Sequence, residues 1–195
     1  MENSKAKLIA FLSENSQLSN QQLQEVSSVF KEKSWQRNEL LLKEGKVSNE
    51  WIFLQSGLVR TFAIDVDGNE VTTGFVPENQ VVIEVASFFH RSPTFENIQA
   101  LTDCKGWVVS FDAFQILFHS IPAFREFGRS RLVNGFVSLK QRMLSMITDS
   151  AEKRYALLVK TRPEILKVVP LKYIASYLGV TDTSLSRIRK EIAGK

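Results

Sequence analysis

The sequence predicts an α+β protein in which a double-stranded β-roll precedes a long helix and a C-terminal helix-turn-helix. Three observations predict it. Between about Phe30 and Phe111, short β-rich runs are punctuated by Gly-containing turns. From about Ala123 to Ile147 the pattern becomes helical. The run from Val169 to Lys190 then reads as two short helices sharing one core across Gly179.

Taken in order, the chain opens on an amphipathic helix carrying Leu8, Phe11 and Leu12. Ser19 and Gln22 have the spacing of a capping box, so a second helix runs towards Phe30. Strands are expected at Glu39–Glu44, Trp51–Gln55, Leu58–Ile64, Glu70–Val76, Gln80–Val85, Phe95–Thr102 and Gly106–Phe111. Asp65-Val66-Asp67-Gly68-Asn69 joins two of them as a hairpin, and Ser56-Gly57 marks another reversal. A short helix from Ser110 to His119 stops near Pro122.

In the long helix, Leu132, Phe136, Leu139, Met143 and Met146 follow alternating four- and three-residue steps, the a/d seam of a coiled coil. Such a seam calls for a partner helix or for packing on the chain's own roll. Thr148-Asp149-Ser150 makes a hinge and cap before a basic helix from Ala151 to Lys160. The expected domains are 1–122 for the roll with its entry helices, 123–148 for the long helix and 149–195 for the helix-turn-helix.

The terminal pair supplies Ile174, Leu178, Val180, Leu185 and Ile188 to one core. Gly179 is free to take positive φ at the turn, and the small Ala175, one helical turn earlier, permits close approach of the two helices. Thr181 is a suitable N-cap, and Asp182 stands at the positive end of the helix dipole, so the second helix starts near Thr183. Leu185, Ile188 and Ile192 face inward at helical spacing. Asp182, Thr183, Ser186, Arg187 and Lys190 are left as a polar strip suited to base edges.

A chain of 195 residues, 44% of them hydrophobic, can bury a sizeable core. No run of eighteen apolar residues occurs, and Met1–Lys7 lacks the apolar stretch of a signal peptide, so a cytoplasmic protein with no membrane partner is expected. The single Cys104 excludes an intramolecular disulfide, a cysteine-ligated iron–sulfur cluster and a thiolate zinc site. Net charge is +4, but ten Lys/Arg against four Asp/Glu after residue 150 give +6 there and leave −2 before it. The basic surface coincides with the helix-turn-helix, as neutralising phosphates requires.

This order of elements resembles the Crp/Fnr family of bacterial transcription regulators. The resemblance rests on Gly45, Gly57 and Gly68 at the turns of the roll, on Val82 to Phe114, and on Ile174-Ala175 through Leu185-Ser186-Arg187-Ile188. It implies a cyclic-nucleotide-binding-like roll, a homodimer through Leu132, Phe136, Leu139, Met143 and Met146, and a recognition helix in the major groove. It further implies base contacts from Arg187, Thr183, Ser186 and Asp182, and phosphate contacts from Lys190, Arg189 and Lys172. Double-stranded DNA with an inverted-repeat operator and a second copy of the chain are the implied partners, with RNA polymerase as a further one.

The chain also departs from the family. Its cyclic-AMP members carry a Gly-Glu pair followed, ten residues after the Glu, by Arg-Ser, where this chain has Ile83-Glu84 and Thr94-Phe95. The effector pocket implied by the resemblance would fall on Glu84, Thr94, Phe95, Leu139 and Lys140. Without the guanidinium, a phosphate there loses on the order of 2 to 5 kcal/mol. Arg91 is nearby but out of register. Haem sensing has only His90, His119 and Cys104 to draw on, so no metal and no cofactor is expected. The chain as given stops at Lys195, so the fold is expected to lack a full wing.

The sequence thus leads to a homodimeric, sequence-specific regulator, not an enzyme, whose effector is unknown or absent and is not cyclic AMP. Three other readings are weighed beside it. A cyclic-nucleotide-responsive regulator would use an altered phosphate pocket. A cupin-like enzyme would need more ligands than two distant histidines. A protein-interaction module would leave the +6 balance without a purpose.

Overall fold

The computed structural model describes residues 5–14 and 16–193, with Met1–Ser4 and the Gly194-Lys195 end on which the wing expectation rests outside them. The described chain forms two compact units. One comprises the residues up to Arg60 with Phe75–Asn134, the other Thr61–Gly74 with the residues from Gly135 onward.

The first unit opens on α1 (Ala6–Ser13), which buries Leu8, Phe11 and Leu12, and α2 (Asn20–Ser28). The expected capping box is formed: the Gln22 amide donates to the Ser19 hydroxyl at 3.3 Å, and the Ser19 amide donates to the Gln22 side chain at 3.0 Å. The strands are β1 (Lys31–Trp35), β2 (Leu40–Leu42), β3 (Glu50–Ser56), β4 (Leu58–Ile64), β5 (Glu70–Pro77) and β6 (Gln80–Val82). After helix α3 (Val85–His90) come β7 (Asn97–Ala100), β8 (Cys104–Ser110), α4 (Phe111–Ser120) and α5 (Pro122–Thr148). The strands form two four-stranded sheets, β1-β8-β3-β6 and β2-β7-β4-β5. This is the β-roll the short strands predicted.

The β3·β8 ladder explains why these segments are so apolar. Side chains alternate across a strand. Trp51 and Phe53 of β3, with Trp107 and Val109 of β8, join a cluster containing Phe11, Phe88, Phe114, Phe124 and Phe127. Ile52, Leu54 and Val108 turn the other way, into the interior of the roll with Val59, Val82, Ile98 and Ala100. Both faces of the sheet are therefore covered. Most Phe residues pack in the first cluster, for instance Phe11 on Phe53 with ring centroids 4.7 Å apart. Gly57, at φ 102°, turns β3 into β4 where a Cβ would lie 2.6 Å from the Cys104 sulfur. Cys104 is buried, and its burial pushes the thiol up from its ordinary value.

In the first unit, two elements differ from the sequence reading. β1 was not expected, because Lys31-Glu32-Lys33-Ser34 are all exposed and only Trp35 is buried. As an edge strand, β1 is held by its ladder to β8, from Lys31 opposite Val108 to Trp35 opposite Cys104. The second is α3. The strand expected to reach Val85 ends at Val82, and the Glu84 carboxylate caps a helix instead, accepting the amides of Ala86 at 3.2 Å and Ser87 at 2.6 Å.

In the second unit, the hairpin tip between β4 and β5 is tied by Asp65. Its carboxylate accepts the amides of Asn69 at 2.8 Å and Asp67 at 3.0 Å, contacts that hold it below the ordinary carboxylate value. After α5 come α6 (Ala151–Thr161), capped by Ser150, the short α7 (Ile165–Val168), α8 (Leu171–Leu178) and α9 (Asp182–Ala193). Tyr155, Leu158, Ile165, Ile174, Ala175, Leu178, Leu185 and Ile188 are its buried core. α5 belongs to both units, and its apolar residues beyond Arg131 are exposed: Leu132 by 39%, Phe136 by 67%, Leu139 by 62% and Met143 by 52%.

Candidate nucleic-acid interface

The second helix of the terminal pair is fixed from beneath. Leu185 and Ile188 are buried, which sets the rotation of α9 and sends the intervening residues outward. The Ser184 amide donates to the Thr181 hydroxyl at 3.2 Å, so Thr181 caps the helix as its position predicts; the helix begins at Asp182, one residue earlier than expected. Gly179 takes φ 68°, and a Cβ there would stand 2.7 Å from the Met146 methyl. Met146, assigned to the α5 seam, thus lies against the turn between the two helices.

The other half of the support comes from arginines. Arg154 of α6 donates from Nε and Nη2 to the Leu178 carbonyl at 3.2 and 2.8 Å, and from Nη1 to the Asp149 carbonyl at 2.6 Å. It satisfies the last carbonyl of α8, which has no partner inside its own helix. Arg142 of α5 donates to the Thr73 carbonyl and, at 3.2 Å, to the Tyr177 carbonyl, with its guanidinium 4.2 Å from the centre of the Tyr177 ring. Neither role was foreseen. Arg154 gave a signal, since it stands four residues before the buried Leu158 and therefore on the inner side of α6. Arg142 gave none, because its partners are backbone carbonyls distant in sequence.

On this support Asp182, Thr183, Ser186, Arg187 and Lys190 together line one surface recess of about 380 Å³. Arg187 is 72% exposed, and its Nε lies 3.8 Å from the Glu191 carboxylate. The Thr183 and Thr181 hydroxyls share a hydrogen bond of 2.9 Å. Arg189 and Lys172 are exposed but lie outside the lining of the recess, with the Lys172 ammonium 4.9 Å from the centre of the Tyr173 ring. Glu152 is held below its ordinary value mainly by a hydrogen bond with Ser150, with a smaller effect from the charges of Arg187 and Arg154.

Each of the residues expected to hold an effector has its own local setting. The Glu84 carboxylate is engaged as the α3 cap. Thr94 is buried, and its hydroxyl accepts the Glu96 amide at 2.9 Å. Phe95 is 85% exposed. Leu139 and Lys140 are exposed on α5. Arg91 donates to the Ser48 carbonyl at 2.7 Å and to the Asn49 side chain, and its guanidinium lies 4.0 Å from the centre of the Phe111 ring. Among the described residues, no three His, Cys, Asp or Glu side chains gather as a metal site.

Residues 32–120 match the cyclic nucleotide-binding domain family. The chain is 24% identical over 184 residues to a protein of Pasteurella multocida (strain Pm70) named anaerobic regulatory protein; the match takes in 88% of this chain. It superposes on a transcriptional regulator of the Crp/Fnr family from Eubacterium rectale with a TM-score of 0.72, at 17% identity, over 90% of this chain and 84% of the other. In fold the chain is similar to a regulator of the Crp/Fnr family. The chain also superposes on FixK2 from Bradyrhizobium japonicum, with a TM-score of 0.74 at 17% identity over 85% of each chain. The chain spans 66% of the length of the Pasteurella protein. No helix among the described residues is long and apolar enough to cross a membrane.

Proposed function

We propose that this Crp/Fnr-type chain is a homodimeric transcription regulator that reads an inverted-repeat operator through α9. The observation that carries the reading is the recess where Asp182, Thr183, Ser186, Arg187 and Lys190 meet on one exposed helical face. Arg187 offers a fork that matches guanine O6 and N7, while Lys190, Arg189 and Lys172 supply charge for phosphates. Leu132, Phe136, Leu139 and Met143 are the candidate contact with a second copy, and RNA polymerase is a further candidate partner. Selection of bound DNA from a random pool by the full chain tests the reading. An enriched inverted repeat supports it, and a pool that stays random overturns it.

Cyclic AMP is not the effector in this reading. The neutral, buried Thr94 hydroxyl holds local backbone, and the Glu84 carboxylate is engaged as a helix cap. The match of residues 32–120 to a cyclic nucleotide-binding domain favours a second reading, in which a cyclic nucleotide is held by an altered pocket. Calorimetric titration with cyclic AMP and cyclic GMP separates the two: a low-micromolar dissociation constant for either establishes the second.

A further inference from the structure

On α9, the arginine proposed above as a base reader differs from the cations around it. Its Nε lies 3.8 Å from the carboxylate of Glu191, one helical turn further on, whereas Arg189 and Lys190 have no carboxylate partner among the described residues. Side chains lean towards the N-terminus of their helix, so the tip of residue i+4 returns over residue i. The contact is made on the Nε side of the guanidinium. Nη1 and Nη2, the pair whose spacing suits guanine O6 and N7, are left without a hydrogen-bond partner among the described residues. A second carboxylate stands nearby. Glu152 of α6, held below its ordinary value first by its hydrogen bond with Ser150, also feels the charge of Arg187.

Helix stability does not account for Glu191. An exposed i,i+4 ion pair contributes little, and it contributes least when the cation precedes the anion. Arg187 and Glu191 stand in that order, with side chains 72% and 55% exposed. Glu191 also falls in the last turn of α9, where the helix dipole disfavours negative charge, and beside DNA its carboxylate would repel phosphates. What the carboxylate supplies is orientation. A guanidinium held on its Nε side presents the Nη edge as a unit and loses less freedom on meeting a base, whereas an untethered one is free to swing onto phosphates. We propose that Glu191 is a specificity-determining positioning residue, which holds Arg187 for a guanine edge and away from phosphates. The proposal deepens the regulator reading above and rests on it.

The test measures binding of the full chain to its selected operator, to single-base variants of that operator and to scrambled DNA, for wild type, Glu191→Gln, Arg187→Ala and the double variant. Arg187→Ala identifies the base pair that Arg187 reads. Glu191→Gln, at an exposed side chain, should leave thermal unfolding unchanged, tighten binding to scrambled DNA and lower discrimination at that base pair by roughly threefold to tenfold. In the Arg187→Ala background the same change should tighten matched and scrambled DNA alike and lower discrimination no further. A pure charge effect would tighten both DNAs equally in either background, and a base contact by Glu191 itself would relax the preference at a second base pair in either background. Each of these results overturns the proposal, as does an Arg187→Ala variant that relaxes no base pair. A chain that selects no operator overturns the regulator reading as well, whereas an operator read through Arg187 with discrimination untouched by Glu191→Gln overturns this inference alone.

Discussion

The Ser176 hydroxyl of α8 accepts the backbone amide of Thr72 in β5 at 2.8 Å and donates to the Glu70 carbonyl at 3.3 Å. β5 is the edge of its sheet, with backbone groups that no neighbouring strand can satisfy. A side chain from the helix-turn-helix satisfies them, and Arg142 adds its contact to the Thr73 carbonyl. The hairpin tip thus belongs to the same compact unit as the helix-turn-helix, although its strands continue those of the roll.

Ser176→Ala should therefore leave the Thr72 amide and the Glu70 carbonyl without this partner, costing about 1 to 3 kcal/mol in denaturant unfolding. The Thr72 hydroxyl behaves oppositely. It is buried and has no hydrogen-bond partner among the described residues, so Thr72→Val should be neutral or stabilising. A Thr72→Val variant as unstable as Ser176→Ala would show that this hydroxyl, and not the neighbouring amide, makes the contact.

Gly179→Ala combines two penalties. Positive φ strains any residue with a Cβ by about 1 kcal/mol or more, and the added methyl meets the end of the Met146 side chain. Because that end is flexible, Met146→Ala should relieve the steric part and leave the backbone part. A double-mutant cycle in urea reads the coupling; strictly additive losses would mean that Met146 does not lie under the turn.

Asp149 sits well placed to report on acid. Hydrogen bonds from Lys153 at 2.5 Å and Ser145 at 2.7 Å hold its carboxyl below the ordinary value of 3.8. A depressed folded pKa means that the contribution is complete above the unfolded value and disappears as pH falls through the folded one. Asp149→Asn should therefore be less stable than wild type at neutral pH, and the gap should close below about pH 4. A gap that is constant from pH 7 to pH 3 contradicts the assignment.

The α5 residues give the dimer prediction. Phe136 and Leu139 are 67% and 62% exposed in the single chain, too much apolar surface on one helix to be left in water without consequence. If they meet a second copy, Phe136→Glu with Leu139→Glu should convert a sedimenting dimer into a folded monomer. A folded dimer of unchanged mass would send the search for the interface elsewhere.

Where the sequence was legible, the signal was periodic and local. The Ser19–Gln22 capping box, the turn at Gly179 and the burial of Leu185 and Ile188 each follow from a few neighbouring residues. β1 was missed because an edge strand can expose Lys31, Glu32 and Lys33 and take its stability from the β8 ladder. α3 was missed because Glu84 fitted a ligand-binding pattern, whereas its carboxylate satisfies the first amides of a helix. In the candidate interface, the outward strip on α9 was readable from helical spacing. Arg142, Arg154 and Ser176 were not assigned roles, since each meets backbone groups brought near by tertiary folding.

The central claim is that α9 reads bases, and competition binding of Arg187→Ala and Lys190→Ala on matched and scrambled operators at several salt concentrations tests it most directly. With two recognition helices entering successive major grooves, the operator half-sites should be centred about ten base pairs apart. Arg187→Ala should cost about 1 to 3 kcal/mol on the matched operator and relax the preference at one base pair per half-site. Lys190→Ala should weaken matched and scrambled DNA alike and flatten the salt dependence, because a phosphate contact carries charge without sequence. Equal losses on both DNAs for Arg187→Ala would contradict base reading by this residue.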